Sequence, residues 1–175
     1  RKDSGIKTVQ DMKGKRFAWV DKMTAAGWLH PLYYFKFHNI DDPHEFLGEC
    51  YLAGTHEDAI YDVLNGKADL GAAKNTVFER LAKTDQRLID ELEILHVSSP
   101  FPANGLMLGK HIDPSLRNTI HTVLIRMDQD AEGRRVLQEF GANRFIETSE
   151  KDYTVVYEYA ENIGLDLETY TPMND

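Results

Sequence analysis

The sequence predicts an α/β fold, and three observations predict it. Short apolar runs alternate with helical patterns through the first half of the 175 residues. The stretch Ser98-Ser99-Pro100-Phe101-Pro102 then breaks that alternation with prolines that favour extended chain. Beyond it, nearly everything reads as helix.

The elements follow in order. The run Arg16-Phe17-Ala18-Trp19-Val20 is a strand after the turn Lys13-Gly14-Lys15, and a helical pattern occupies 25–38. A second strand is expected at 49–53. A helix follows at 55–65, with Ala59, Ile60, Val63 and Leu64 on one face and Gly66 as its stop. A third strand is expected at 69–73, a helix at 75–82, and a fourth strand at 92–97. Past the prolines, 105–109 reads as one more strand. Asp113-Pro114 opens a helix whose apolar face is Leu116, Ile120, Val123, Leu124 and Met127. Two further helices are expected at 130–140, ended by Gly141, and at 150–163, ended by Gly164. Residues 1–100 thus read as an α/β lobe, and residues 101–175 as a crossing strand followed by helices.

Composition excludes several classes. Twenty basic against 29 acidic side chains give a net charge of -9, which argues against a nucleic-acid partner. No apolar run reaches the roughly 18 residues of a spanning helix. The single Cys50 makes no internal disulfide and reads as a small buried apolar residue. The seven histidines lack metal-ligand spacing, so neither a metal nor a cofactor is expected. No leader pattern opens the sequence: Arg1-Lys2-Asp3-Ser4-Gly5 reads as the middle of a longer protein.

Four segments are candidates for binding. In Val20-Asp21-Lys22-Met23-Thr24-Ala25-Ala26-Gly27-Trp28 a strand ends and a helix begins on small residues. The amides of Thr24, Ala25, Ala26 and Gly27 would point outward together, backed by the helix dipole, as an anion site. The alternative is an ordinary N-cap at Thr24. Pro31 cannot donate to the Gly27 carbonyl and crowds it, so the first turn should be open or kinked. In Gly54-Thr55-His56-Glu57-Asp58, Thr55 is a cap, with Asp58 completing an imperfect capping box. His56 on the first turn is either a hydrogen-bond donor to an anion or a solvated side chain. Lys74, Asn75 and Thr76 follow the third strand at the edge where a cleft would lie, and Asn104 follows the proline stretch past the same edge. Asp41-Asp42 and the pair Asp128 and Asp130 read as turn or cap chemistry. Tyr153, Tyr157 and Tyr159 read as core or interface. No nucleophile motif, Walker loop or dinucleotide fingerprint is present.

The order of these motifs resembles the phosphate/phosphonate ABC-transporter substrate-binding proteins, the PhnD-like group with the type II periplasmic binding protein fold. Val9-Gln10-Asp11-Met12-Lys13-Gly14-Lys15 is similar to that family's L-x-D-L-K-G-K entry to the second lobe. Residues 21–31 align without gaps to its D-P-x-S-x-S-G-x-x-x-P loop. Gly54-Thr55-His56-Glu57 resembles G-x-H-E, and Asn65-Gly66-Lys67-Ala68-Asp69-Leu70-Gly71-Ala72 resembles N-G-x-x-D-x-G-A. Ser98-Ser99-Pro100-Phe101-Pro102 resembles S-x-P-I-P, and residues 130–145 with Asp152-Tyr153 resemble the C-terminal region.

The resemblance implies one βα lobe plus a C-terminal helical segment belonging to the other lobe, most of which would precede this chain. It implies a non-catalytic protein, periplasmic or extracellular and membrane-anchored at full length. Its partners would be a small oxyanion and the membrane permease of an ABC transporter, with self-association possible for a truncated chain. By position, Thr24, Ala25, Ala26, Gly27 and His56 would hold the oxyanion, and Lys74, Asn75 or Thr76, and Asn104 the rest of the ligand. Ala25 and Ala26 replace hydroxyl residues, so binding would lean on main-chain amides. Asn104 is neutral where aminophosphonate binders are often acidic, and Lys74 adds positive charge, which disfavours an amine-bearing ligand. The alternatives are a sensor input domain with the same fold, and an enzyme using His56 and Glu57 as acid and base.

Overall fold

A computed structural model describes residues 1–102 and 105–171. The chain forms two compact units, residues 1–99 with 155–175, and residues 100–154.

The first unit is built on a parallel sheet of β1 (Phe17–Trp19), β2 (Cys50–Leu52) and β3 (Leu70–Gly71), with β1 in the centre. All of β1 is buried, as expected for a strand covered on both faces. Strand alternation sorts its side chains. Phe17 and Trp19 turn to one face, where they meet Phe35, Leu47, Ile6, Val9 and Met12. Ala18 and Val20 turn to the other, against Ala59 and Ala68. The first face is covered by α1 (His30–Phe37) and by α2 (Pro43–Phe46), capped by Asp42. The second is covered by α3 (His56–Leu64), which buries Ala59, Ile60 and Leu64. Next to it lie α4 (Asn75–Ala82) and α5 (Arg87–Glu91), joined through Leu81 and Leu88. Arg16 and Asp69 flank the sheet entry: Asp69 accepts from the Arg16 amide at 2.9 Å and from its guanidinium at 2.8 and 3.1 Å.

Gly66 (φ 76°) follows α3 in the left-handed conformation that glycine adopts without a Cβ penalty.

The second unit contains α6 (Pro114–Ile125), capped by Asp113, and α7 (Ala131–Phe140), capped by Asp130 and ended by Gly141. Leu137 is the one residue of 100–154 that is buried, among those described. On the expected apolar face of α6, Leu116 and Val123 are more than half exposed.

Two expected strands do not form. Residues 92–97 are irregular: Leu95 packs on the core, but Ile94 and Val97 are exposed and no ladder partner lies beside them among the described residues. Residues 105–109 are irregular as well, with Leu106 and Met107 exposed. Apolar composition made both read as strands, and neither has the pairing that makes a strand. The helix expected over 150–163 is a short 3-10 turn, Glu150–Tyr153, followed by α8 (Thr154–Asn162). The compact units also cut the chain differently from the expected division at residue 100. Tyr159 is buried and stacks on Tyr33 at 4.4 Å, which groups the last segment with the first unit. Tyr157 stays half exposed.

Candidate functional site

The site begins with a proline. Pro31 has no N–H to return to the Gly27 carbonyl, and the helix opens as a π-turn over Ala25–Leu29 before α1 starts. The Gly27 carbonyl instead accepts the Val20 amide at 3.2 Å, tying the turn to the end of β1. The amides of Trp28 and Leu29 share the Thr24 carbonyl, at 3.1 and 3.2 Å. The amides of Ala25, Ala26 and Gly27 lead this turn, and among the described residues no carbonyl receives them. The open first turn expected from Pro31 is therefore present as a π-turn. Thr24 is not a side-chain cap: its hydroxyl donates to the Asp21 carbonyl at 2.6 Å, which uses its proton locally.

Gly27 is needed at this point. A β-carbon there would stand 2.5 Å from the Val20 side chain and 2.8 Å from the Thr24 hydroxyl. Strand and turn approach so closely that only glycine fits.

Val20 also organises the second segment. Its carbonyl accepts the Gly54 amide at 2.9 Å, so the turn before α3 lies against the same strand end. Thr55 caps α3 by accepting the Asp58 amide at 3.0 Å, and its hydroxyl donates to the Asp58 carboxylate at 2.6 Å. The Thr55 cap read from the sequence is present, but the Asp58 carboxylate accepts from the Thr55 hydroxyl and not from its amide, so the capping box does not close. His56, half-buried, follows at the first helical position. Glu57 pairs with Arg80 at 3.0 Å.

The third segment reaches His56 directly. The Lys74 amide donates to His56 Nδ1 at 3.1 Å. Burial, and after it the Lys74 charge, hold the His56 imidazole below its ordinary range, so the ring is neutral near pH 7. Asn75 and Thr76 form the exposed start of α4, with the Asn75 amide turned to Glu79 at 3.3 Å. Asn104 lies outside the described residues.

The structure thus gathers the starts of three helical segments, at Ala25, His56 and Asn75, at the C-terminal edge of one parallel sheet. Helix starts carry partial positive charge and unpaired N–H groups. That edge is where open α/β sheets bind ligands.

Two features were not legible in the sequence. One is the Lys74 amide on His56, an 18-residue separation with no local signal. The other is a cleft of about 520 Å³ beside α1, lined by Lys22, Trp28, Lys36, Asp41, Leu165 and Tyr170. The Tyr170 hydroxyl donates there to the Lys22 carbonyl at 2.9 Å.

A parallel sheet with helix starts gathered at one edge is an α/β lobe, and its fold is that of PhnD-type periplasmic binding proteins. A solved binding-protein component of an ABC phosphonate transporter from Pseudomonas aeruginosa superposes with a TM-score of 0.79 at 23% identity, covering 93% of this chain and 55% of that one. PhnD1 from Prochlorococcus marinus, solved in complex with methylphosphonate, gives a TM-score of 0.70 at 18% identity over 91% of this chain and 61% of that one. Residues 1–153 match the family described as ABC transporter, phosphonate, periplasmic substrate-binding protein, and the chain belongs to that family. The probable ABC transporter phosphite binding protein PhnD1 of Prochlorococcus marinus is 23% identical over 167 residues, which is 92% of this chain and 56% of that protein. The chain therefore spans little more than half the length of these relatives.

Proposed function

We propose that this chain supplies the anion-binding lobe of an extracytoplasmic solute-binding protein that delivers a phosphonate-like oxyanion to the permease of an ABC transporter. The observation that carries the reading is the π-turn. Among the described residues, no acceptor lies on the three consecutive amides of Ala25, Ala26 and Gly27, at the sheet edge where α3 and α4 also start. An oxyanion satisfies such amides and the dipoles behind them. His56 adds a neutral side-chain donor, while Lys74 and the first turn of α4, Asn75 and Thr76, contact the remainder of the ligand. Thr24 contributes through position, because its hydroxyl proton is taken by Asp21.

Non-catalytic binding is supported by the fate of the two groups an acid/base pair would need. His56 Nδ1 is held by a main-chain amide, and Glu57 by Arg80. Ala25 and Ala26 bring no hydroxyl, and Lys74 adds positive charge, so the ligand is an anion without an amine. In the whole protein, a membrane anchor keeps it near the permease. There the exposed apolar side chains of the second unit, Leu106, Met107, Leu116, Val123 and Phe140, are covered by a further lobe.

The test is a thermal shift of the intact protein with phosphate, phosphite, methylphosphonate, sulfate and small carboxylates. A ligand at about 100 times its Kd adds roughly 2.7 kcal/mol to stability, which raises the midpoint. Methylphosphonate or phosphite should raise it, and His56→Ala should weaken the rise. No shift with any phosphorus oxyanion would overturn the reading.

A further inference from the structure

We propose that the main-chain amide of Lys74 is a positioning group: by donating to His56 Nδ1 it holds the neutral ring with its proton on Nε2, presenting one oriented donor to the anion. The proposal rests on the reading of His56 as a contact of the ligand, and adds which nitrogen makes the contact and what orients it.

A neutral imidazole has one donor nitrogen and one acceptor nitrogen. Nδ1 accepts from Lys74 at 3.1 Å, so the proton is on Nε2. The ring is gripped from two directions. Its backbone is set by the Thr55 cap at the start of α3. Its Nδ1 is set by an amide belonging to the turn between β3 and α4, a turn tied to β1 through the Ala72 amide on the Ala18 carbonyl at 3.4 Å. Imidazolium would place a second N–H at Nδ1, opposite the Lys74 N–H, where two donors face each other. Burial and the Lys74 charge oppose that protonation in the same sense. The donor offered to the ligand is therefore dipolar, like the amides of Ala25, Ala26 and Gly27. Such a set recognises oxygen acceptors by geometry more than by net charge.

Position 74 permits a direct test. Its φ of −72° and ψ of 129° suit proline, and it precedes α4, whose own hydrogen bonds do not use this N–H. Lys74→Pro removes the N–H together with the ammonium; Lys74→Ala removes the ammonium alone. In the intact protein, ¹⁵N ring shifts of His56 near neutral pH should show Nδ1 unprotonated in the wild type and in Lys74→Ala, and a mixture of tautomers in Lys74→Pro. A wild-type ring protonated on Nδ1 would overturn the proposal without any variant. So would identical ring spectra in the two Lys74 variants. Methylphosphonate titrations supply the second readout. Lys74→Pro should bind several-fold more weakly than Lys74→Ala. His56→Gln, whose amide reaches the Nε2 position, should retain several-fold more affinity than His56→Asn. Equal affinities for Gln and Asn would refute the donor assignment. If the wild-type ring carries its proton on Nε2 while His56→Ala leaves methylphosphonate binding unchanged, the failure lies in the reading of His56 as a ligand contact.

Discussion

The Val20 amide meets the Gly27 carbonyl at 3.2 Å, and the two residues approach so closely that a β-carbon on Gly27 would stand 2.5 Å from the Val20 side chain. Val20 is almost fully buried and cannot retreat. Gly27→Ala therefore displaces the turn, at a cost of about 1–3 kcal/mol for overpacking a filled site. Urea unfolding should show a lower midpoint with an unchanged m-value. Methylphosphonate affinity should fall in the same variant, because the Ala25 and Ala26 amides move with the turn. An alanine variant of wild-type stability would mean that the turn has room the structure does not show.

Thr55 carries the start of α3. Its hydroxyl oxygen accepts the Asp58 amide at 3.0 Å, and loss of such a cap costs about 1 kcal/mol. Thr55→Ala should be destabilised by that amount in urea unfolding, and Thr55→Ser should recover most of it. Equal stability of the alanine and serine variants would remove the cap from the account.

His30 makes the fold sensitive to acid. Its ring stacks on His96 at 5.1 Å and meets Tyr159 at 5.2 Å, while Tyr34 packs on His96 from the same helix. Burial, and secondly the neighbouring His96, push the His30 imidazole from its ordinary 6.5 down to about 4. The unfolded ring takes its proton below about 6.5, while the folded ring resists until about 4. The stability this group contributes is thus fully present above pH 6.5 and is lost as the pH falls through that window. Thermal midpoints measured at about pH 7.5, 5.5 and 4.5 should fall, and His30→Phe should fall less steeply. Equal slopes would assign the loss to other groups.

Local chemistry made much of the fold legible. Thr55, Asp113 and Asp130 act as caps, and Gly66 and Gly141 as stops, because each works through hydrogen bonds or φ values within a few residues of itself. The run from Arg16 to Val20 read as a strand because its apolar residues are continuous. Residues 92–97 and 105–109 read the same way and failed, since a strand needs a partner and periodicity carries no record of one. The site divides along the same line. Pro31 announced an open turn after β1 from its missing N–H alone, whereas the destination of the Gly27 carbonyl depended on where β1 ended.

The sequence by itself determined the alternation of strand and helix, the family motifs, and the residue types placed at three helix starts, because these rest on interactions between near neighbours. Only the tertiary structure decided that Val20 ties two of those starts together, that the Lys74 amide occupies His56 Nδ1, and that Tyr159 returns to stack on Tyr33. Apart from the Val20–Gly27 bond, those contacts join residues far apart in the chain, and their formation depends on the whole sheet bringing its edges into register.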